Sequence, residues 1–176
     1  MGQKADSQNA SFIAACHANF IGAFEAVARL VPGGVVERIG GLTAVRTSMP
    51  GSSFNIVFGL SLPTSLREVR EGIDRLFIRT RTQFKIITIQ ETLGSLKPLM
   101  EEMGLAVRTD VPGMVLDPIP DSCPEGPRGL EIRLSTEPEE IKRYLQTGAV
   151  GFGLSPDFFD AWVPGMVSGA VGPSSS

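Results

Sequence analysis

Three glycines crowd one short stretch of the chain, "YLQTGAVGFGLSP", which runs from Tyr144 to Pro156. They are Gly148, Gly151 and Gly153. Glycine-rich backbone can bind a phosphate, because N–H groups without a neighbouring Cβ approach the anion closely. The stretch is therefore either a nucleotide- or coenzyme-binding loop or a bend between two helices, and the surrounding elements must decide between them.

Nucleophilic and metal chemistry have little support in the residue types. Cys16 and His17 are adjacent in a helical pattern, where neighbouring side chains point about 100° apart, so they cannot form a nucleophile–base pair with each other. We predict that Cys16 is a packed thiol. A single histidine excludes a multi-histidine metal site, and there is no G-x-S-x-G motif. No catalytic residue and no metal ligand is predicted.

A basic streak in the middle of the chain could meet a phosphate-bearing ligand. It consists of Arg67, Arg70, Arg75, Arg79, Arg81 and Lys85. However, Arg67, Glu71 and Arg75 are spaced four residues apart, which is typical of a solvated, salt-bridged helix face. We favour the salt-bridged face.

Composition limits the class of protein. The 176-residue chain has a formal net charge of −3, which gives no electrostatic basis for binding nucleic acid or an anionic membrane. The N-terminal segment "SFIAACHANFIGAF" is apolar, but His17 and Asn19 interrupt it, and we expect neither a membrane span nor a signal peptide. Two cysteines provide no disulfide framework, so a cytoplasmic location is expected.

The first elements that must position these residues are a helix and three short strands. Apolar residues at spacings of three and four predict a helix over Ser11–Val31, ended by Pro32-Gly33-Gly34. Apolar runs joined by Gly40-Gly41 and by Met49-Pro50-Gly51 then predict antiparallel strands. The strands are Val35–Ile39, Leu42–Ser48 and Ser53–Gly59.

The later elements alternate helices with strands. We predict a helix over Leu66–Thr82 with a Ser65–Glu68 capping box, a central strand Phe84–Gln90, a helix Leu96–Met103 and closing strands in "LAVRT" and "GMVLD". After four prolines in "PIPDSCPEGP" come a strand "GLEIRL", a capped helix from Thr136 to Gln146 and a helix from Ser155-Pro156 to Trp162. On that short helix Phe158, Phe159 and Trp162 have little chain to bury them, so they are expected to cover the first lobe or a partner.

The order of elements resembles the GNAT N-acetyltransferase fold, in which helices, three antiparallel strands, a long helix, a strand, a helix and closing strands follow one another. Three segments are similar to two-lobed members of that family: "SSFNIVFGL" with Phe54-Asn55, "LMEEMGLAV" with Gly104-Leu105, and "VPGMVLD". The family's first strand is not recognised here. The resemblance implies an α/β (α+β) fold with a mixed, largely antiparallel central sheet flanked by helices.

The resemblance also implies a division of the chain. Residues 11–117 would form a degenerate GNAT-like lobe, and residues 118–128 a Pro-rich linker. Residues 129–165 would be the opening strand, helix and helix of a second lobe, which the chain does not complete, and residues 166–176 a flexible tail. Association through that unfinished lobe is expected.

The family binds the pyrophosphate of acetyl-coenzyme A on a loop patterned Gln or Arg, two residues, Gly, one residue, Gly or Ala. The corresponding loop here, "FGLSLPTSLRE", keeps only Gly59 of that pattern, and Pro63 removes a backbone donor. Gly59, Thr64 and Ser65 are thus the candidate coenzyme-binding residues, with acetyl-coenzyme A the cofactor, if there is one.

The family's general acid and its substrate side are also implied only by the resemblance. The usual acid is a tyrosine on the helix after the fifth strand, but the chain's single tyrosine is Tyr144. The glycine-rich stretch fails the pyrophosphate pattern. It corresponds to the bend between the two opening helices of a GNAT domain, near the acceptor, so Phe152, Gly153 and Phe158 are the substrate-side candidates.

Three functions remain open. In the first, the chain is the non-catalytic N-terminal lobe of an acetyl-coenzyme A-dependent acetyltransferase whose family acts on small-molecule or peptide amines. In the second, it is a self-sufficient transferase with a divergent coenzyme loop. In the third, it is a non-enzymatic ligand- or protein-binding module on the same scaffold.

Overall fold

The computed structural model describes residues 2–107, 129, 135 and 137–170. The chain divides into two compact units, Met1–Val107 and Arg108–Ser176. The first unit is a mixed α+β domain with a four-stranded, mostly antiparallel open sheet. The predicted linker at 118–128, the closing strand in "GMVLD" and nearly all of the strand in "GLEIRL" lie outside the described residues.

The first helix, α1 (Gly2–Leu30), begins nine residues before the predicted start and ends one residue before the predicted end. Its end depends on the glycines that follow. Gly33 has a positive φ of 73°, and the N–H of Gly34 bonds to the carbonyl of Val31 at 3.1 Å. A Cβ at Gly34 would collide with the backbone of Ala28, so only glycine fits this exit from the helix.

No membrane span was expected at the N-terminus, but one helical segment among the described residues is long and apolar enough to cross a membrane, by length and composition only. The helical segment Ser11–Leu30 is 20 residues long and has a mean hydropathy of 1.3, and only a 6% share of it is buried within the fold. Isoleucine, phenylalanine, valine, leucine and alanine side chains keep the mean hydropathy of the segment high despite His17 and Asn19. The same helix nevertheless packs on the sheet, where Phe20 and Phe24 lie edge-on to Phe58 with ring centroids 5.5 and 5.6 Å apart.

Three antiparallel strands follow, as predicted: β1 (Val35–Ile39), β2 (Leu42–Arg46) and β3 (Ile56–Gly59). Gly40 and Gly41 have φ angles of 52° and 86°. Two successive positive φ angles are what a tight two-residue hairpin requires, and glycine adopts them without strain. The Gly-Gly pair therefore sets the register in which Ile39 faces Leu42.

A helical crossover then joins β3 to a parallel strand. Helix α2 (Leu66–Ile73) is capped by Ser65, whose hydroxyl accepts the N–H of Glu68, and it continues as a π-helical turn, Asp74–Ile78. Strand β4 (Lys85–Thr88) pairs in parallel with β3, so that Ile56 faces Lys85. Among the described strands β4 is last in the order β1-β2-β3-β4 rather than central, and its apolar residues are half-buried.

Helix α3 (Gln90–Glu102) starts six residues before the predicted start and is followed by Gly104 at a φ of 67°, the expected helix-terminating glycine. Together α2, the π turn and α3 cover one face of the sheet, and Phe77 stacks on Phe84 with ring centroids 4.8 Å apart. Helix α1 covers the other face, where the buried residues are Ala28, Val45, Ile56 and Phe58.

Asn55 organises the connection between β2 and β3. Its buried side-chain amide accepts the N–H of Thr47 at 2.7 Å and donates to the carbonyls of Met49 at 3.1 Å and Gly51 at 2.7 Å. Buried backbone groups must find partners, and one amide supplies three of them here. The Asn in the quoted "SSFNIVFGL" segment is thus a structural residue.

The described part of the second unit is helical. Helix α4 (Pro138–Gly151) is followed by a 3-10 helix (Pro156–Trp162) and by α5 (Val163–Ala170). Glu137, not Thr136, is the N-cap of α4, and Thr136 lies outside the described residues. The predicted tail at 166–176 is wrong in its first part, because Met166 to Ala170 belong to α5.

Candidate functional site

The end of β3 is packed where the coenzyme loop was predicted. Gly59 is buried, and its carbonyl accepts a hydrogen bond from the buried Thr92 hydroxyl of α3. A Cβ added at Gly59 would lie 2.5 Å from Cδ1 of Leu96 and 3.2 Å from Cγ2 of Thr88. Glycine therefore lets α3 lie close against the sheet, and protein side chains fill the space beside it.

At the start of α2, backbone N–H groups are already used in hydrogen bonds within the fold. The N–H of Thr64 donates to the carbonyl of Gly40 at 2.8 Å, and the Ser65 hydroxyl caps the N–H of Glu68 at 3.3 Å. A Cβ at Gly41 would lie 3.0 Å from Cγ2 of Thr64, so the β1–β2 turn sits directly on this segment. Two of the groups that could have bound a phosphate are thus used within the fold.

The glycine-rich stretch is mostly helix. Gly148 and Gly151 lie within α4, which was predicted to end near Gln146, so the bend is confined to the residues after Gly151. Phe152 is the C-cap and is 82% exposed, and Gly153 follows with a φ of 70°. Together they form a glycine-terminated helix end rather than a cradle of free donors.

The aromatic side chains of the second unit lie differently from the prediction. Phe159 and Trp162 are buried, with ring centroids 4.7 Å apart, because the 3-10 helix packs on α4 and α5. The expectation that the chain could not bury them is wrong. Phe158 is half-buried and lies edge-on to Phe159. Phe152 is the substrate-side candidate that extends into solvent.

Ser155 begins the 3-10 helix as predicted, but its hydroxyl does not cap the backbone. It donates instead to the Asp157 carboxylate, and together with the Asp157 N–H this bond lowers the pKa of that carboxyl from its ordinary value. The Ser155 hydroxyl is thus already engaged by a side chain of its own helix.

The basic streak is salt-bridged, but with partners other than those predicted. Arg70 pairs with Glu102 at 3.1 Å, Arg79 pairs with Asp74 at 2.6 Å, and Arg75 pairs with Glu37. Two of these three bridges join α2 or its π turn to another element, a partner choice that spacing along one helix does not predict. Three of the six streak residues thus form separate surface ion pairs.

A groove along α1 is the feature that sequence reasoning missed. We call it the α1 groove, and it has a volume of about 460 Å³. It is lined by Ala14, His17, Ala18, Ile21, Gly22, Glu25, Arg38, Leu60 and Ser61. These residues come from α1, from β1 and from the segment after β3, so no local spacing could reveal them.

Cys16 and His17 have separate surroundings on α1. Cys16 is exposed, so the prediction of a packed thiol is wrong, whereas the half-buried His17 lines the α1 groove. The packed stripe of the helix runs through Ile21, Phe24 and Ala28, and its extension toward the N-terminus misses position 16. Within the described part of the chain no three His, Cys, Asp or Glu side chains are grouped to hold a metal ion.

No protein-family model matches the chain, and neither a curated protein nor a solved structure matches it either. The contacts of its own residues are therefore the basis for assigning a function.

Proposed function

We propose that the first unit is a degenerate, non-catalytic lobe of GNAT type in a protein related to acetyl-coenzyme A-dependent amine acetyltransferases. The sequence of elements supports this relationship. Helix α1, the antiparallel strands β1 to β3, helix α2, strand β4 and helix α3 follow in the order that the resemblance implies. The sheet is mixed and largely antiparallel, as in the family.

The observation that carries the non-catalytic assignment is the packing at Gly59. A coenzyme phosphate needs open backbone N–H groups at the end of this strand and at the start of the next helix. Instead, Thr92 and Leu96 of α3 close on Gly59, while Thr64 and Ser65 satisfy groups within the fold. Displacing Leu96, which is 0% exposed, would open a cavity in the core.

In this proposal the lobe supplies a wall or an interface rather than chemistry. The second unit, with α4, the 3-10 helix and α5, would be the opening of a related lobe, and its exposed Phe152 would lie on the acceptor side. The acceptor would be a small-molecule or peptide amine, and the protein would act in the cytoplasm. In this proposal neither a nucleic acid nor a membrane would be a partner.

Calorimetric titration with acetyl-coenzyme A tests the proposal. The full chain should give no saturable heat up to millimolar coenzyme, while an active GNAT acetyltransferase titrated alongside serves as the positive control. A micromolar Kd would contradict the proposal and favour a self-sufficient transferase with a divergent loop.

A second function, a ligand-binding module on the same scaffold, is favoured by one observation, the α1 groove. The groove lies on the α1 side of the sheet, whereas α3 packs on the other side. The lining of the groove includes Leu60 and Ser61 but none of the candidate coenzyme residues Gly59, Thr64 and Ser65.

A further inference from the structure

The depth of the α1 groove comes from small residues on the helix. Ala14, Ala18 and Gly22 line it at intervals of four residues, so they lie above one another on α1. A Cβ added at Gly22 would meet nothing within 4 Å, which shows open space beside the helix at this point. Ile21 and Leu60 provide larger apolar walls. The groove can thus take an apolar group of moderate size.

The same groove is lined by Arg38, whose guanidinium group is oriented by two protein contacts. Arg38 of β1 donates from Nη1 to the hydroxyl of the buried Thr43, and its Nη2 lies 3.6 Å from a carboxylate oxygen of Glu25. The Arg38 side chain is nevertheless 68% exposed. Two protein groups therefore orient the guanidinium, and their two contacts use only part of its five N–H donors.

The local charge balance favours an anion. The Glu25 carboxylate, whose side chain is 17% exposed, lies 3.1 Å from Arg29 as well as 3.6 Å from Arg38. Two guanidinium groups thus share one carboxylate, and the cluster keeps one unit of positive charge. A protonated amine would be repelled by that excess positive charge, whereas a carboxylate can form charge-assisted, bidentate hydrogen bonds with arginine.

From these observations we propose that the α1 groove binds a small carboxylate with an apolar tail. The Arg38 guanidinium would bind the carboxylate head. The tail would lie along Ala14, Ala18 and Gly22, between Ile21 and Leu60. This site is independent of the GNAT relationship, because it uses none of the residues expected to contact the coenzyme.

Titration of the full chain with sodium octanoate, followed by calorimetry, tests this site. We expect saturable binding, weakened roughly tenfold or more by Arg38→Gln, because a charged hydrogen-bond partner is lost. Arg70→Gln is the matched control, since Arg70 also forms an exposed ion pair, with Glu102, but neither lines the groove nor contacts Glu25. It should leave the Kd within about twofold of wild type.

A second pair of variants tests the tail and does not depend on the Arg38 contacts. Gly22→Leu should fill the groove and weaken octanoate binding, while Ala23→Leu, on the exposed neighbouring position, should not. Octylamine should not bind, and octyl phosphate in a parallel titration separates a carboxylate preference from general anion binding. The proposal is overturned if octanoate does not bind, if octylamine or octyl phosphate binds more tightly, or if Arg38→Gln and Gly22→Leu both leave its Kd unchanged.

Discussion

The two faces of the sheet in the first unit differ in how completely they are covered. Among the described residues, eleven buried hydrophobic residues form the cluster between the sheet and α2, the π turn and α3, whereas four form the cluster between the sheet and α1. Two glycines show the same difference in packing between the faces. A Cβ added at Gly59 would collide with Leu96, whereas a Cβ added at Gly22 would meet open space. An open groove therefore lies on the α1 face, away from the tight packing of α3 against Gly59.

The largest expected effect compares a phenylalanine on each face. Phe77→Ala removes a side chain that is 0% exposed and stacked on Phe84, and should lower the free energy of unfolding by about 3–5 kcal/mol. Phe20→Ala removes a ring that is 40% exposed on α1 and should cost only about 1 kcal/mol. Urea denaturation measures both, and equal losses would show that the two faces are packed alike.

Alanine substitutions at Gly59 and Gly22 should change the free energy of unfolding by a smaller amount and in opposite directions. Gly59→Ala forces Leu96 or the strand to move and should destabilise the chain by about 1–3 kcal/mol. Gly22→Ala lies in a helix with open space around it and should stabilise by up to about 1 kcal/mol. Thermal unfolding of the two variants side by side provides the measurement. A neutral or stabilising Gly59→Ala would mean that the end of β3 has room for a ligand.

The smallest expected effect concerns the charges of the α1 groove. Arg38→Gln and Arg29→Gln each remove a mostly exposed guanidinium, so the free energy of unfolding should change by less than about 1 kcal/mol in either variant. Denaturant midpoints check this. A large loss confined to Arg38→Gln would make Arg38 a structural residue and remove the contrast between a packed face and an open one.

Local sequence signals predicted most of the first unit. Apolar spacing identified α1 and α2, and the Gly40-Gly41 pair identified the hairpin, because these features depend on neighbours within a few residues. The predicted ends of later helices were wrong where contacts with distant residues determine how far the helix runs. Helix α4 runs through Gly148 to Gly151, since its inward residues Ile141, Leu145 and Ala149 are buried despite the glycines.

The candidate sites were harder to predict than the fold. Residues near one another in the chain, such as Gly59 and Thr64, acquire different neighbours, Leu96 and Gly40 respectively. The α1 groove brings Glu25, Arg38 and Leu60 together from three separate segments. Ion pairs such as that of Arg75 with Glu37 likewise join distant positions. Periodicity and motif spacing contain no information on such contacts.

Under the proposed function, side chains of α3 fill the space at the end of β3, where a GNAT enzyme would hold its coenzyme. An amide-resolved NMR titration of the full chain with acetyl-coenzyme A tests it most directly. We expect the amide signals of Gly59 and of Thr64 to Arg67 not to move at millimolar coenzyme. Saturating shifts of these signals at micromolar coenzyme would contradict it.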